Sequence, residues 1–204
     1  MSDSSYANIN DPYEHPFIME GLLTLEECKN IIKSSQDKLH DSKMVEGLNK
    51  ERRNSKQCWI PKSSPLVNKL YNQMSKYFGI PLENAEDFQV VRYLPGEYFK
   101  EHHDACCENN LECKNFLNEG GQRILTILIY LNEEFNDGHT YFPNLGLKIK
   151  AKPGNAIVFH PTAKNSNKCH PLALHAGLPV TKGVKWIANI WFRERKHITS
   201  STDD

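Results

Sequence analysis

Beyond Pro81 the sequence is cut into short runs rich in β-branched and aromatic residues. These are Phe88 to Leu94, Arg123 to Leu131, Thr140 to Phe142, Leu145 to Ile149, Ala156 to Phe159 and Trp186 to Phe192, parted by Gly, Pro or Asn. Runs of that length and composition predict strands joined by turns. Lys148, Lys150 and Lys152 alternate with apolar neighbours, as on a half-exposed strand. Ahead of Pro81 the period is helical. Thr24-Leu25-Glu26-Glu27 is a capping-box pattern and predicts a helix over 24–38. Leu66, Val67, Leu70, Tyr71, Met74 and Phe78 predict a second helix, with Ser64 as cap, Pro65 in its first turn and Gly79 as its stop. Helices first and antiparallel-type strands later predict a mainly β fold, a jelly roll buttressed by N-terminal helices.

The remaining stretches carry less pattern. Residues 1–16 predict a polar arm, residues 40–56 a mobile surface loop, and the last residues a disordered tail. A length of 204 residues suits one domain with a sizeable core, and no internal repeat is present. Lys+Arg and Asp+Glu both number 25, which gives no general pull toward nucleic acid or an anionic membrane. The longest apolar run, Ile124 to Leu131, is too short to span a bilayer. The N-terminal stretch lacks the features of a secretory signal, so a cytoplasmic location is expected. Under that expectation the six cysteines are reduced thiols. Cys106, Cys107 and Cys113 near two histidines raise zinc as an alternative, although their spacing matches no paired knuckle.

The chemistry concentrates in three features of the strand-rich half. In His102-His103-Asp104 an extended chain puts His102 and Asp104 on one face and His103 on the other. His175, in LHAGLPV, can add a distant third ligand, with His160 and His170 as competitors for that role. Two imidazoles and one carboxylate form the facial triad of non-haem iron(II) oxygenases, which leaves three sites open for a bidentate 2-oxoacid and dioxygen. Lys185, inside KGVKW, is a cation that can pair with a far carboxylate of that oxoacid, where an acidic residue would repel it. Each feature has a bland counterpart: H-x-D arises by chance, and a lysine ahead of a strand is commonly just solvated.

YLPGEYFKEHHD, GGQRILTILIYLN, DGHTYFP, KPGNAIVF and LHAGLPVTKGVKWIANIWFRE, taken in that order, resemble the catalytic domain of prolyl 4-hydroxylases over about residues 88–195. RRNSKQCWI at 52–60 extends the match upstream. The resemblance implies a double-stranded β-helix with Fe(II) at one mouth, 2-oxoglutarate and dioxygen as cosubstrates, and ascorbate as a reductant. It implies His102, Asp104 and His175 as iron ligands, and Lys185, Tyr93 and Thr126 as contacts of 2-oxoglutarate. Arg123, Trp191, Arg53, Ser55 and Trp59 match positions on the substrate side. The corresponding division of the chain is an N-terminal arm with supporting helices and a substrate-side loop and strand over 1–80, a dioxygenase core over 81–197, and a tail over 198–204. Segments 105–119 and 40–56 are expected as lids over the substrate. Phe99 stands where the family often has tyrosine, and Arg193 where it often has histidine, which puts the substrate's identity in doubt. The implied reaction is hydroxylation of peptidyl proline at carbon four, with succinate and carbon dioxide released. The alternatives are the same chemistry on another side chain or small molecule, a non-catalytic metal-binding jelly roll, or a zinc-stabilised module.

Overall fold

The computed structural model describes residues 5–42 and 51–198. The expected tail from position 199 and the middle of the expected loop, 43–50, lie outside the described residues.

Both predicted helices form. In α1 (Leu25–Ser35) the Thr24 hydroxyl accepts from the Glu27 N–H, and the Glu27 carboxylate accepts from the Thr24 N–H. A 3-10 turn, Gln36–Lys38, carries the coil to the predicted end. α2 (Pro65–Phe78) stops at Gly79, whose φ of 67° is the left-handed conformation that glycine takes without a Cβ penalty. The expected Ser64 side-chain cap is absent. Its carbonyl accepts the Asn68 N–H, and Pro65 presets the first turn instead.

The strands are β1 (Phe17–Met19), β2 (His40–Asp41), β3 (Lys56–Ile60), β4 (Phe88–Tyr93), β5 (Phe99–His102), β6 (Arg123–Tyr130), β7 (Phe135–Asp137), β8 (Thr140–Phe142), β9 (Leu147–Ile149), β10 (Ala156–Phe159), β11 (His175–Gly177), β12 (Val180–Gly183) and β13 (Lys185–Arg193). They build a seven-stranded sheet in the order β1-β10-β6-β13-β4-β3-β2, a four-stranded sheet β5-β11-β8-β9 and a β12-β7 pair. Every named pairing is antiparallel, which is the jelly roll expected from the sequence.

The period of two explains how one large sheet serves two cores. Phe88 and Val90 of β4, Ile127 and Ile129 of β6, and Ala188, Ile190 and Phe192 of β13 pack with Cys28, Ile31, Leu70 and Tyr71 of the helices. The alternate residues, Val91 and Tyr93, Leu128 and Tyr130, and Ile187, turn the other way and join Phe142 and Ile149 of the smaller sheet. All nine residues of β13 are buried, so its polar members Lys185, Asn189 and Arg193 lie inside the protein. On β9 and beyond, the predicted alternation holds: Lys148, Lys150 and Lys152 are exposed, while Ile149 and Ala151 are buried.

Two expectations need correction, those for stretch 40–56 and for the cysteines. Stretch 40–56 is not simply a loop, because β2 pairs with the start of β3 and both Arg53 and Ser55 are buried. Its pattern was hidden because polar residues occupy buried positions. Segment 105–119 contains a helix, α3 (Leu111–Asn118), capped by Asn110. The cysteines of that region are neither reduced nor free to bind zinc. Cys106 is bonded to Cys113 and Cys107 to Cys169, across separations of 7 and 62 residues. By chain entropy, closing such loops stabilises by ~2 and ~4 kcal/mol respectively. Cys28 and Cys58 are buried free thiols. No helix among the described residues is long and apolar enough to cross a membrane.

Candidate metal centre and cosubstrate pocket

β5 and β11 run side by side with His102 directly opposite His175. Asp104 follows β5 by two residues and turns to the same side as His102, as the extended spacing requires. The three side chains offer one ligand atom each within 4.8 Å of one another, the one such cluster of three or more among the described residues. Asp104 Oδ1 lies 3.6 Å from His102 Nε2 and 3.7 Å from His175 Nε2.

The hydrogen bonds around this cluster fix which atoms face its centre. His102 Nδ1 sits 2.8 Å from the Lys100 carbonyl and His175 Nδ1 sits 3.0 Å from the Ala173 carbonyl. A carbonyl only accepts, so each Nδ1 carries the proton and each Nε2 keeps its lone pair for a cation. Asp104 Oδ2 accepts from Thr126 Oγ1 at 2.8 Å and from Trp191 Nε1 at 3.0 Å, which leaves Oδ1 for the centre. Burial, then His102, push His175 down to about 4, so it is neutral at pH 7 and able to ligate. Burial works against ionisation of Asp104, yet His175 and His102 hold it well below the usual carboxylate range.

The other histidines are committed elsewhere. His160 contacts the Ile124 carbonyl and Glu14. His170 contacts the Asp11 carbonyl and the Leu172 N–H. His103 points away from the cluster, edge-on to Tyr6 at 5.5 Å.

Behind the cluster lies a cavity lined by Tyr93, Leu128, Thr140, Lys185, Ile187 and Asn189, among others. Lys185 is 1% exposed, and its ammonium lies 5.1 Å from the Tyr93 ring centre and 5.2 Å from that of Tyr130. Among the described residues no carboxylate pairs with it. Burial, with a smaller push from Lys150, brings it down to about 7. A buried amine held between two rings and lacking an anion fits a ligand that brings its own carboxylate. Thr126 does not line this cavity; its hydroxyl is spent on Asp104.

In front of the cluster an open groove of about 1050 Å³ is lined by Arg53, Trp59, Arg123 and Trp191, as well as by α3 and Cys106. Arg123 makes a two-pronged pair with Glu86, 2.7 Å on each prong, and its guanidinium lies 3.7 Å above the Trp191 ring. Arg53 sits 4.6 Å from the Phe99 ring centre and donates to Ser55, which is behind the groove wall and not on it. Phe99 stacks on His102 with ring centres 3.5 Å apart.

Sequence reasoning missed Glu86. This carboxylate is also held by Arg193 Nε at 2.7 Å. Burial raises its pKa, but Arg123 and then Arg193 more than offset this and leave it at about 2. Its only sequence signal is an acid just ahead of an apolar strand. Arg193 also donates to the Phe116 and Gly121 carbonyls, fastening the end of α3.

The model of the 2OG-Fe(II) oxygenase superfamily matches residues 88–193. A relative from Acanthamoeba polyphaga mimivirus, provisionally named a prolyl 4-hydroxylase, is 56% identical over 95% of this chain and 80% of its own length. Prolyl 4-hydroxylase 2 of Arabidopsis thaliana is 31% identical over 86% of this chain and 66% of its own length. The viral collagen prolyl hydroxylase of Paramecium Bursaria Chlorella virus-1, solved with 2-oxoglutarate, superposes with a TM-score of 0.69 at 33% identity, over 87% of this chain and 95% of that one. A match over more than half the chain, joined to these relatives and to a triad that suits Fe(II), makes this chain a member of the prolyl 4-hydroxylase family of 2-oxoglutarate- and Fe(II)-dependent dioxygenases.

Proposed function

We propose that the chain hydroxylates proline in a peptide or protein at carbon four. His102, Asp104 and His175 would hold Fe(II) through Nε2, Oδ1 and Nε2. Lys185 would pair with the far carboxylate of 2-oxoglutarate, in a cavity that Tyr93 and Thr140 complete. Fe(II), with 2-oxoglutarate and dioxygen, supplies the oxidising power, and succinate and carbon dioxide leave. The protein's own part is orientation. Thr126 and Trp191 hold Asp104 Oδ2 so that one oxygen faces the metal. Leu128 and Ile187 exclude water from the cavity, and the groove presents Trp59, Arg123 and Trp191 to an extended peptide.

The observation that carries this assignment is the buried Lys185, unpaired with any described carboxylate, in the cavity next to an imidazole–carboxylate triad. The substrate class rests on the relatives named for proline hydroxylation. The division at 80, with an arm and buttressing helices before an oxygenase core, is part of the same proposal. So is the cytoplasmic location, which fractionation of tagged protein would test, and which would require the rim disulfides to form there.

The assay is turnover of proline-rich peptides under heavy-isotope dioxygen, read by mass spectrometry. The expected result is one heavy oxygen in a proline residue and one in succinate. Heavy succinate with no labelled proline in any peptide, or label on another residue, would overturn the substrate. No succinate at all would overturn the assignment of the site.

A further inference from the structure

The cysteines fall into two populations. Cys28 and Cys58 are free thiols in the core beneath the helices, whereas Cys106, Cys107, Cys113 and Cys169 are all paired at the site. The two bonds fork from adjacent residues that begin two positions after Asp104.

One prong joins Cys106 to Cys113 on α3, the helix that walls the groove with Asn115 and Phe116. The Gln122 side chain reinforces it by accepting from the Cys106 N–H and donating to the Cys106 carbonyl. The other prong joins Cys107 to Cys169, six residues ahead of His175. The flank after one metal-facing residue is thereby tied to the flank before another. Cys169 is also where the N-terminal arm attaches. Its N–H donates to the Ser5 carbonyl and its carbonyl accepts from Ala7, which seats Tyr6 against His103. Access differs between the prongs. Cys106, Cys107 and Cys113 line the groove, whereas Cys169 is fully buried.

We propose that this fork is a redox-dependent brace of the active site, with Cys107 and Cys169 as positioning residues for the metal centre and Cys106 and Cys113 as positioning residues for the peptide wall. The second part rests on the peptide-groove reading above. Each disulfide takes two electrons and two protons from a dithiol, which leaves as its own disulfide, and yields two protein thiols. The groove-lining Cys106–Cys113 bond opens first and loosens α3. Opening Cys107–Cys169 separates the flanks and weakens the hold on Fe(II).

The test uses the full chain, purified without reductant and then titrated with dithiothreitol, which is removed before measurement. Thiols are mapped by alkylation and peptide mass spectrometry. Fe(II) affinity is read by competition with a chromogenic chelator, and peptide KM and kcat are read separately. The expected order is a KM at least about fivefold higher with Fe(II) affinity unchanged, then an Fe(II) affinity about tenfold weaker, the scale of lost outer-shell support. The paired variants Cys106→Ser/Cys113→Ser and Cys107→Ser/Cys169→Ser should reproduce the two stages with the helical and strand circular dichroism retained. If the second pair fails to fold, the titration of the natural chain decides. Four free rim thiols in the untreated protein, or an Fe(II) affinity unmoved after full reduction, would overturn the brace. If no peptide is hydroxylated even when oxidised, the substrate proposal fails, while the Fe(II) readout still judges the brace.

Discussion

The floor of the site and its rim are built by different means. The floor is β4, β6 and β13, three adjacent antiparallel strands whose alternation sends Tyr93, Thr126, Lys185 and Trp191 inward and the intervening apolar residues onto the helices. The rim, made of residues 5–16, 105–122 and 161–174, has one short α-helix and a 3-10 turn, Pro171–Ala173. It is held by two disulfides, by Gln122 on the Cys106 backbone and by Arg193 on the end of α3. The floor's buried polar side chains sit where strand alternation places them, whereas the rim is tied down contact by contact.

The largest effects should come from the floor and the ligands beside it. Asp104→Ala or His175→Ala should lose Fe(II) and turnover entirely, measured by metal analysis and succinate release, whereas His103→Ala should keep its metal. Lys185→Ala would leave the far carboxylate of 2-oxoglutarate without the buried partner proposed for it, a loss of ~3–5 kcal/mol. Its 2-oxoglutarate affinity should therefore fall by two or more orders of magnitude in calorimetry.

The same lysine sets a pH dependence. Burial brings it to about 7 in the free protein, and a bound carboxylate raises it again. Binding of 2-oxoglutarate above pH 7 then takes up a proton. Affinity should fall as pH rises, by at most about tenfold per pH unit, until the raised pKa of the complex is reached. In the protein without 2-oxoglutarate, the unfolded chain binds the extra proton between about 7 and 10.5, so stability should rise with pH across that window. An affinity that is flat from pH 7 to 9 would mean that Lys185 is not the anion's partner.

A smaller effect is expected at Trp191→Phe, which keeps a ring beneath Arg123 but deletes the N–H that holds Asp104 Oδ2. Fe(II) affinity should weaken about tenfold, by loss of outer-shell support. The smallest contrast lies in the helices behind the floor. Thr24→Ala breaks a complete capping box and should cost about 1 kcal/mol in denaturant unfolding. Ser64→Ala removes no side-chain cap and should stay within about 0.5 kcal/mol.

This division also marks what the sequence could tell. The six strand runs and both helices appear nearly at their predicted bounds, because period and turn residues act locally. H-x-D placed two members of the clustered triad for the same reason, and the wider motif order chose His175 over His160 and His170. Glu86 was missed because its partners, Arg123 and Arg193, lie 37 and 107 positions away. Thr126 was placed on the right strand face but given the wrong neighbour, since whether its hydroxyl meets a cosubstrate or Asp104 depends on depth along that face. The disulfides were missed because the expectation of a cytoplasmic location argued for reduced thiols. No local pattern says that Cys107 meets a residue 62 positions on.

The central claim is that His102, Asp104 and His175 hold one Fe(II) while Lys185 clasps the cosubstrate that covers its open face. It is tested most directly by adding 2-oxoglutarate to the Fe(II)-loaded protein without oxygen and following visible absorption. A weak charge-transfer band that saturates at one equivalent, and is absent in Asp104→Ala, is the expected result. A natural chain that binds Fe(II) and 2-oxoglutarate yet shows no band, or an Asp104→Ala protein whose band is undiminished, would contradict it.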